Sequence, residues 1–246
     1  VTTDGTPDGA PQQPSAPPEA AHRVFGDRLP DAERYAELLA GVGVQRGLIG
    51  PREVPRLWER HLLNCAVLSE VVPDGVTVCD VGSGAGLPGI PLALVRPDLE
   101  ITLLEPLLRR TRFLQEAVDL LGLDHVTVLR GRAEEVLGTF TPVHVVTARA
   151  VAPLDRLAGW GVPLLRPYGE MLAIKGDAAV EELRTARAAL GKLGVVKTEV
   201  LSAGHDVVDP PSTVVRVEAG ESPGGVRFAA KRAKAARTGR RRRRQP

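Results

Sequence analysis

Apolar residues recur along this chain with two periods, and the periods alternate. Short runs rich in β-branched residues occur at Val76–Val81, Ile101–Leu104, Val126–Leu129, Val143–Thr147 and Met171–Ile174. Between them lie stretches whose apolar positions fall three and four apart: Leu87–Val95, Leu107–Leu121, a short one at Ala133–Leu137, Leu154–Leu165 and Ala178–Leu193. The first kind predicts strands and the second helices. Their alternation predicts parallel βαβ units, with helices on both faces of one sheet. Two later strand-like runs, Val195–Leu201 and Thr213–Val217, have only a loop with Gly204, Asp209, Pro210 and Pro211 between them. Without a crossover helix they should pair antiparallel.

The N-terminal part has a different pattern. Residues 1–18 are Pro- and Gly-rich with few apolar side chains, which predicts disorder. A helical region over 19–75 follows. Tyr35, Leu38 and Leu39 share a face of a helix beginning near Pro30, and Val54, Leu57, Trp58, His61, Leu62, Cys65 and Leu68 share a face of the next. The α/β domain is expected over 76–220 and a disordered basic tail over 221–246.

Asp80-Val-Gly82-Ser83-Gly84-Ala-Gly86 stands directly after the first strand and before a helix. Glycine lets the backbone turn tightly and lets a ligand approach with no Cβ in the way. In an open parallel sheet this loop lies at the carboxyl ends of the strands, where ligands bind. Asp80, Gly82, Ser83 and Gly84 are therefore candidate cofactor-binding positions. Gly84-Ala-Gly86-Leu-Pro-Gly89 also satisfies the G-x-G-x-x-G dinucleotide pattern, and Glu105 closes the second strand nineteen residues after Gly86. A carboxylate there accepts hydrogen bonds from ribose hydroxyls, whether the nucleoside is NAD or S-adenosylmethionine. The glycines begin two residues behind Asp80, and a closing hairpin has no place in a six-stranded dinucleotide fold. Both features favour the methyl donor. The expected fold is the α/β class I S-adenosylmethionine-dependent methyltransferase fold: Rossmann-like, a mostly parallel seven-stranded sheet with a C-terminal antiparallel hairpin, plus N-terminal helices.

Charge and cysteine content narrow the setting. Ten of the 32 basic residues lie from Arg227 onward with no acidic residue among them, leaving 22 basic against 30 acidic, net −8, over residues 1–226. An acidic body with a tail running from Lys231 to Arg244 predicts a nonspecific tether to the RNA phosphate backbone. Cys65 and Cys79 belong to no CxxC or Cys/His cluster, which argues against a disulfide framework or a metal site. No apolar run is long enough to span a membrane and no secretion signal stands at the start, so a cytoplasmic location is expected.

DVGSGAGLPGIPLA (Asp80–Ala93), EPLLRRTRFLQ (Glu105–Gln115), GRAEEV (Gly131–Val136), TARAVAPL (Thr147–Leu154) and AIKG (Ala173–Gly176) resemble the family of small-subunit ribosomal RNA methyltransferase G, also called glucose-inhibited division protein B. The resemblance runs from about Tyr35 to Val217. It implies transfer of a methyl group from S-adenosylmethionine to N7 of a guanine in a decoding-region loop of 16S rRNA, with the small ribosomal subunit as partner. It places Gly82 and Leu87 on the methionine side of the donor, Ala133 and Glu134 on its adenine side, and Arg149 at the reacting end. Gly41–Ile49 and Leu63-Asn64-Cys65 depart from the family's usual pattern.

The chemistry agrees with what the residues lack. Guanine N7 carries a lone pair and no proton, so neither a general base nor a nucleophilic side chain is required; alignment is the demand. Cytosine C5 methylation needs a cysteine nucleophile, and neither cysteine is placed for that. Enzymes acting on exocyclic amino groups carry Asp/Asn-Pro-Pro-aromatic after the fourth strand, where this chain has Ala148-Arg149-Ala150; Asp209-Pro210-Pro211 falls in the late hairpin and is followed by Ser212. Arg149, with five donors able to fork onto guanine, phosphate or the donor's carboxylate, is the candidate catalytic residue, acting by positioning and charge. Lys175 is a candidate phosphate contact. His61, on an apolar face, is expected to be a satisfied core or interface histidine, and Trp58 and Trp160 packing residues. Two other readings remain open on the residues: an NAD-dependent oxidoreductase, and a non-catalytic RNA-binding protein.

Overall fold

The computed structural model describes residues 13–149 and 152–225. Seven strands form one sheet in the order β3-β2-β1-β4-β5-β7-β6. They are β1 (Thr77–Val81), β2 (Glu100–Glu105), β3 (Val126–Arg130), β4 (Val143–Arg149), β5 (Leu165–Lys175), β6 (Val195–Ala203) and β7 (Ser212–Ala219). The first five pair parallel, while β7 runs antiparallel to both β5 and β6, as the missing crossover helix requires. The strand order reverses between β1 and β4, which opens a crevice at their carboxyl ends.

Eight α-helices are described: α1 (Glu19–Phe25), α2 (Leu29–Leu38), α3 (Asn64–Ala66), α4 (Gly89–Val95), α5 (Leu108–Leu121), α6 (Ala133–Val136), α7 (Leu154–Gly161) and α8 (Ala179–Lys192). α5 stops where Gly122 turns left-handed, at φ 59 and ψ 44, the usual glycine exit from a helix. The helix expected over 154–165 ends at Gly161 and tightens into a 3-10 turn over Val162–Leu164, with Pro163 inside it. β5 starts six residues before the expected Met171. Its first part, with Tyr168 exposed and at positive φ, has no apolar alternation to betray it.

The helix expected across Val54–Leu68 is not uniform. It runs as a 3-10 stretch over Pro51–Arg56, a π stretch over Leu57–Leu63, then α3, then a 3-10 turn over Val67–Glu70. Pro55 lacks the N–H that an α-helix interior needs, so the hydrogen-bond register shifts there. The N-terminal segments share one continuous apolar cluster with α4, α5 and one face of the sheet, including Tyr35, Leu57, Leu62, Leu68, Leu92, Leu103 and Phe113. α7 and α8 cover the other face with Leu154, Leu157 and Leu190. Trp58 packs edge-on against Phe25, with centroids 6.3 Å apart, and its Nε1–H donates to the Ser15 carbonyl at 2.7 Å. Ser15, which meets this tryptophan, belongs to the stretch expected to be disordered; residues 1–12 and 226–246, with the basic tail, lie outside the described residues.

Arg96 joins the helical region to the sheet. Its guanidinium, mostly buried, donates to the carbonyls of Ser69 (3.2 Å), Val72 (2.9 Å) and Pro73 (3.1 Å) and pairs with Asp74 (2.8 Å) and Asp98 (2.7 Å). Both carboxylates are partly or fully in solvent, so the stabilisation rests on the carbonyls, which would otherwise be left without a donor. Arg96→Ala is expected to lower unfolding free energy by about 2 kcal/mol in urea titrations. A change below about half that would show that water replaces these bonds.

Candidate active site

β1 carries Asp80 to the crevice edge, and the chain then turns through Gly82, Gly84 and Gly86, all at positive φ (72, 58 and 96). Three contacts fix the loop from behind. Asp80 is fully buried and its Oδ2 accepts from the Gly89 N–H at 3.1 Å, satisfying a donor at the start of α4. Glu105, also buried, accepts from the Gly84 N–H through Oε2 and from the Leu107 N–H through Oε1, each at 3.0 Å. Tyr35 of α2 donates its hydroxyl to the Ala85 carbonyl at 2.6 Å. A Cβ on Gly86 would come within 2.4 Å of Ile90 and 2.9 Å of the Tyr35 hydroxyl, and one on Gly89 within 2.3 Å of Leu103. Glycine is therefore required at 86 and 89 for close packing as much as for conformation.

A cavity of about 330 Å³ opens in front of the loop at the carboxyl ends of β1, β2 and β3. Its lining includes Gly82, Glu105, Leu107, Ala133, Glu134 and Trp160. Of the positions proposed from sequence, Gly82, Glu105, Ala133 and Glu134 thus meet in one cavity. Asp80, Ser83, Gly84, Leu87 and Arg149 do not line it. Ser83 donates to the Asp80 carbonyl at 2.9 Å and, with Asp80 and Gly84, shapes the loop from within. Sequence reasoning passed over Leu107, Arg110, Arg132 and Trp160, which also line the cavity. Trp160 packs against the core as expected and lines the cavity as well; it sits on α7, more than seventy residues from the glycine loop, and only the tertiary fold brings it there. The Arg156 guanidinium lies 5.2 Å from its ring centroid.

Arg149, at the end of β4, is held by the N-terminal helical run. Nη2 donates to the Arg60 carbonyl at 2.9 Å, Nη1 to Cys65 Sγ at 3.3 Å, and Nη2 also reaches His61 Nδ1 at 3.1 Å. A guanidinium only donates, so Nδ1 must present its lone pair and the ring proton sits on Nε2, 2.8 Å from Glu53 Oε2. His61 is thus a satisfied buried histidine, and what it satisfies is Arg149. Burial first, and then the Arg149 charge, holds the imidazole below its ordinary range, while the hydrogen bond from His61 holds Glu53 below the usual carboxylate range. These contacts use three of the five guanidinium N–H groups. Burial pushes both cysteine thiols up, which keeps them protonated. Lys175 does not present its ammonium as a free phosphate contact: Nζ donates to the Ala152 carbonyl at 2.6 Å and pairs with Glu182 at 2.8 Å. Among the described residues no cluster of His, Cys, Asp and Glu is arranged to hold a metal, and no helix is long and apolar enough to cross a membrane.

A sheet of this order, with an antiparallel last pair and a glycine loop after β1, defines a class I methyltransferase. Solved structures share that fold: M. jannaschii TYW2 in complex with AdoMet (TM-score 0.51, 16% identity, 66% of this chain and 76% of that one) and the O-methyltransferase from Bacillus cereus in complex with SAH (TM-score 0.51, 15% identity, 75% and 90%). The family model for GidB, rRNA small subunit methyltransferase G, matches residues 28–208, and the chain belongs to that family. Proteins named ribosomal RNA small subunit methyltransferase G from Streptomyces avermitilis (82% identical, 93% of this chain and 96% of that one) and Thermobifida fusca (61% identical, 82% and 84%) are among its relatives.

Burial pushes the Asp80 carboxyl up from 3.8 to about 7, against the opposing bonds from Ser83, Gly89 and Thr147. The folded state therefore holds this proton more tightly than the unfolded chain. Its contribution to stability is complete below about pH 4 and is lost as the pH rises toward 7. Asp80→Asn should remove that slope, so urea-unfolding free energies of the wild type and the variant measured from pH 4 to 8 should diverge across this interval and run parallel above it. Parallel curves throughout would show that Asp80 titrates normally.

Proposed function

We propose that this chain transfers the methyl group of S-adenosylmethionine to N7 of a guanine in 16S rRNA of the small ribosomal subunit. The observation that carries the reading is the buried Glu105 carboxylate, fixed by two backbone N–H groups at the wall of a cavity whose other side is the side-chain-free Gly82. A carboxylate there suits vicinal ribose hydroxyls, and the apolar Leu107, Ala133 and Trp160 suit an adenine ring. The volume falls at the lower end of the roughly 300–1,000 Å³ range of small-molecule sites. When bound, the donor supplies an electrophilic sulfonium methyl.

The chain's own residues then have to orient and exclude water. Gly82 leaves main chain bare where the methionine portion passes. Arg149, anchored by His61, the Arg60 carbonyl and Cys65, is held at the end of β4 and would use its other guanidinium donors to position the acceptor. N7 of guanine attacks with its own lone pair, so no residue has to accept a proton, and the two protonated cysteines are consistent with this. The basic tail, Lys231–Arg244, would add salt-sensitive affinity for the RNA backbone, and the reaction would take place in the cytoplasm, where the small subunit is.

Isothermal titration with S-adenosylhomocysteine tests the donor site. Gly82→Asp, which forces an aspartate into a left-handed conformation beside Glu105, should weaken binding by tenfold or more, roughly the cost of one strained residue. Arg149→Ala should leave that affinity within about twofold yet reduce methyl transfer to small-subunit particles about a hundredfold, the scale of a misaligned reactant. Unimpaired binding by Gly82→Asp would refute the loop assignment. A pH series supplies a second check. As the pH falls below the ordinary histidine value of about 6.5, His61 gains a proton on Nδ1, loses its bond to Arg149 and repels it, with Glu53 and Arg60 the other charged groups facing the ring. Transfer should fall in step. His61→Asn keeps an acceptor near the Nδ1 position and should lack this acid limb; an unchanged limb would mean that another group titrates.

A further inference from the structure

A second cleft, of about 730 Å³, more than twice the volume of the donor cavity, lies at the carboxyl end of β5 and the amino end of the antiparallel β7. Arg56 and Arg60 of the N-terminal run form one side; Asp177 after β5 and the Asp209–Ser212 loop before β7 form the other. We propose that this cleft seats the acceptor guanine, and that the Asp209 carboxylate reads the N1–H and N2–H groups on the base's Watson–Crick edge. The inference rests on the guanine-N7 reading above and assigns that substrate its own binding surface.

Position is the first argument. Arg149 ends β4, between the donor cavity and this cleft, and the backbone carbonyl of Arg60 is what it binds. Arg149 pairs in register with Ile174, next to Lys175, and Lys175 with Thr213, so the cleft floor begins one strand, roughly 5 Å, from the Arg149 position. A base seated here reaches the donor across Arg149.

Rigidity and surface come next. The Asp209–Ser212 loop is tied to the helical run by Asn64, whose Nδ2–H donates to Ser212 Oγ at 2.7 Å, and by Ser212, whose hydroxyl donates back to the Asn64 carbonyl at 3.3 Å. Pro210 and Pro211 thus give the tied loop an apolar side within the cleft that Leu63 also lines.

The charge pattern selects the base. A groove that only tracked phosphates would carry one sign, whereas this one carries both: exposed Arg56 and Arg60 with Glu59 between them on the helical side, and exposed Asp177 and Asp209 on the other. Arginines suit the flanking phosphates. A carboxylate only accepts, and of the four RNA bases guanine alone offers it an adjacent N1–H and N2–H. With N7 turned toward the donor side of the sheet, that edge points outward, toward β7. Asp209 lies there, and among the described residues its side chain makes no hydrogen bond or ion pair. The Asp209-Pro210-Pro211 sequence is thus no misplaced amino-methylation motif; its carboxylate holds the base rather than the group being methylated.

The test titrates GMP, IMP and AMP into the full-length ¹⁵N-labelled protein with S-adenosylhomocysteine present, following amide shifts. GMP should shift amide resonances of Gly176, Asp177, Val207, Val208, Asp209, Ser212 and Thr213 and bind about tenfold tighter than IMP, which lacks the N2 amino group. AMP, whose N1 is an acceptor, should not bind measurably. Asp209→Ala should bring the GMP:IMP ratio to about one, and Arg56→Ala should weaken both nucleotides equally. Shifts confined to other surfaces, equal binding of GMP and IMP by the wild type, or a ratio that survives Asp209→Ala would each overturn the assignment. Calorimetry of S-adenosylhomocysteine alone reports separately on the donor site: lost donor binding with GMP preference intact refutes the methyl-transfer reading, and the converse refutes only the cleft.

Discussion

A loop of alternating glycines has no side chains with which to hold its own shape, so everything that depends on the shape depends on groups behind it. Here those groups are two buried carboxylates and a tyrosine. Asp80 takes the N–H of Gly89, Glu105 takes the N–H groups of Gly84 and Leu107, and Tyr35 binds the Ala85 carbonyl. Burying carboxylates is costly unless hydrogen bonds compensate. Glu105 receives two backbone donors; at Asp80 burial outweighs the bonds from Ser83, Gly89 and Thr147, and the carboxyl holds its proton to about pH 7. The same bonds that stiffen the loop hold Glu105 at the cavity wall.

The helical region before β1 is part of this arrangement and not an appended module. It supplies Tyr35 to the glycine loop, Glu53, His61 and the Arg60 carbonyl to Arg149, and Asn64 to the loop before β7. Its register change from 3-10 to π, set by Pro55, falls in the stretch whose carbonyl and imidazole meet Arg149. Short irregular helical pieces are unstable alone; these persist because they share the apolar cluster of α4 and α5 and because Arg96 ties them to the sheet. The glycine loop, Arg149 and the loop before β7 are therefore all braced by one helical region.

Much of the frame was visible in the sequence. All seven strands were anticipated because their apolar runs are short, β-branched and bounded by polar turns, and the antiparallel end followed from the absence of a helix between Leu201 and Thr213. Gly82 and Glu105 stood out because one follows a strand and the other ends one, at the edge where such sheets bind ligands. The early start of β5 and the broken helix near Pro55 were hidden, since neither carries a regular period. Trp160, Arg132 and Arg110 were hidden for another reason: their place in the cavity depends on how α7, α6 and α5 pack.

The sequence by itself determined the order of elements, the hairpin at the end and the glycine bend, because local period, backbone sterics and connection length act over a few residues and need no partner. It also carried the family resemblance that the comparisons now establish. Only the tertiary structure decided which side chains meet. His61 was rightly placed on a buried face, yet its partner Arg149 lies eighty-eight residues away. Lys175 was a candidate for solvent and phosphate until Glu182 was found beside it, and Asp209 gained a cleft only when β7 packed against the N-terminal run. Hydrogen bonds and ion pairs form wherever folding brings donors to acceptors, and separation along the chain places no limit on that.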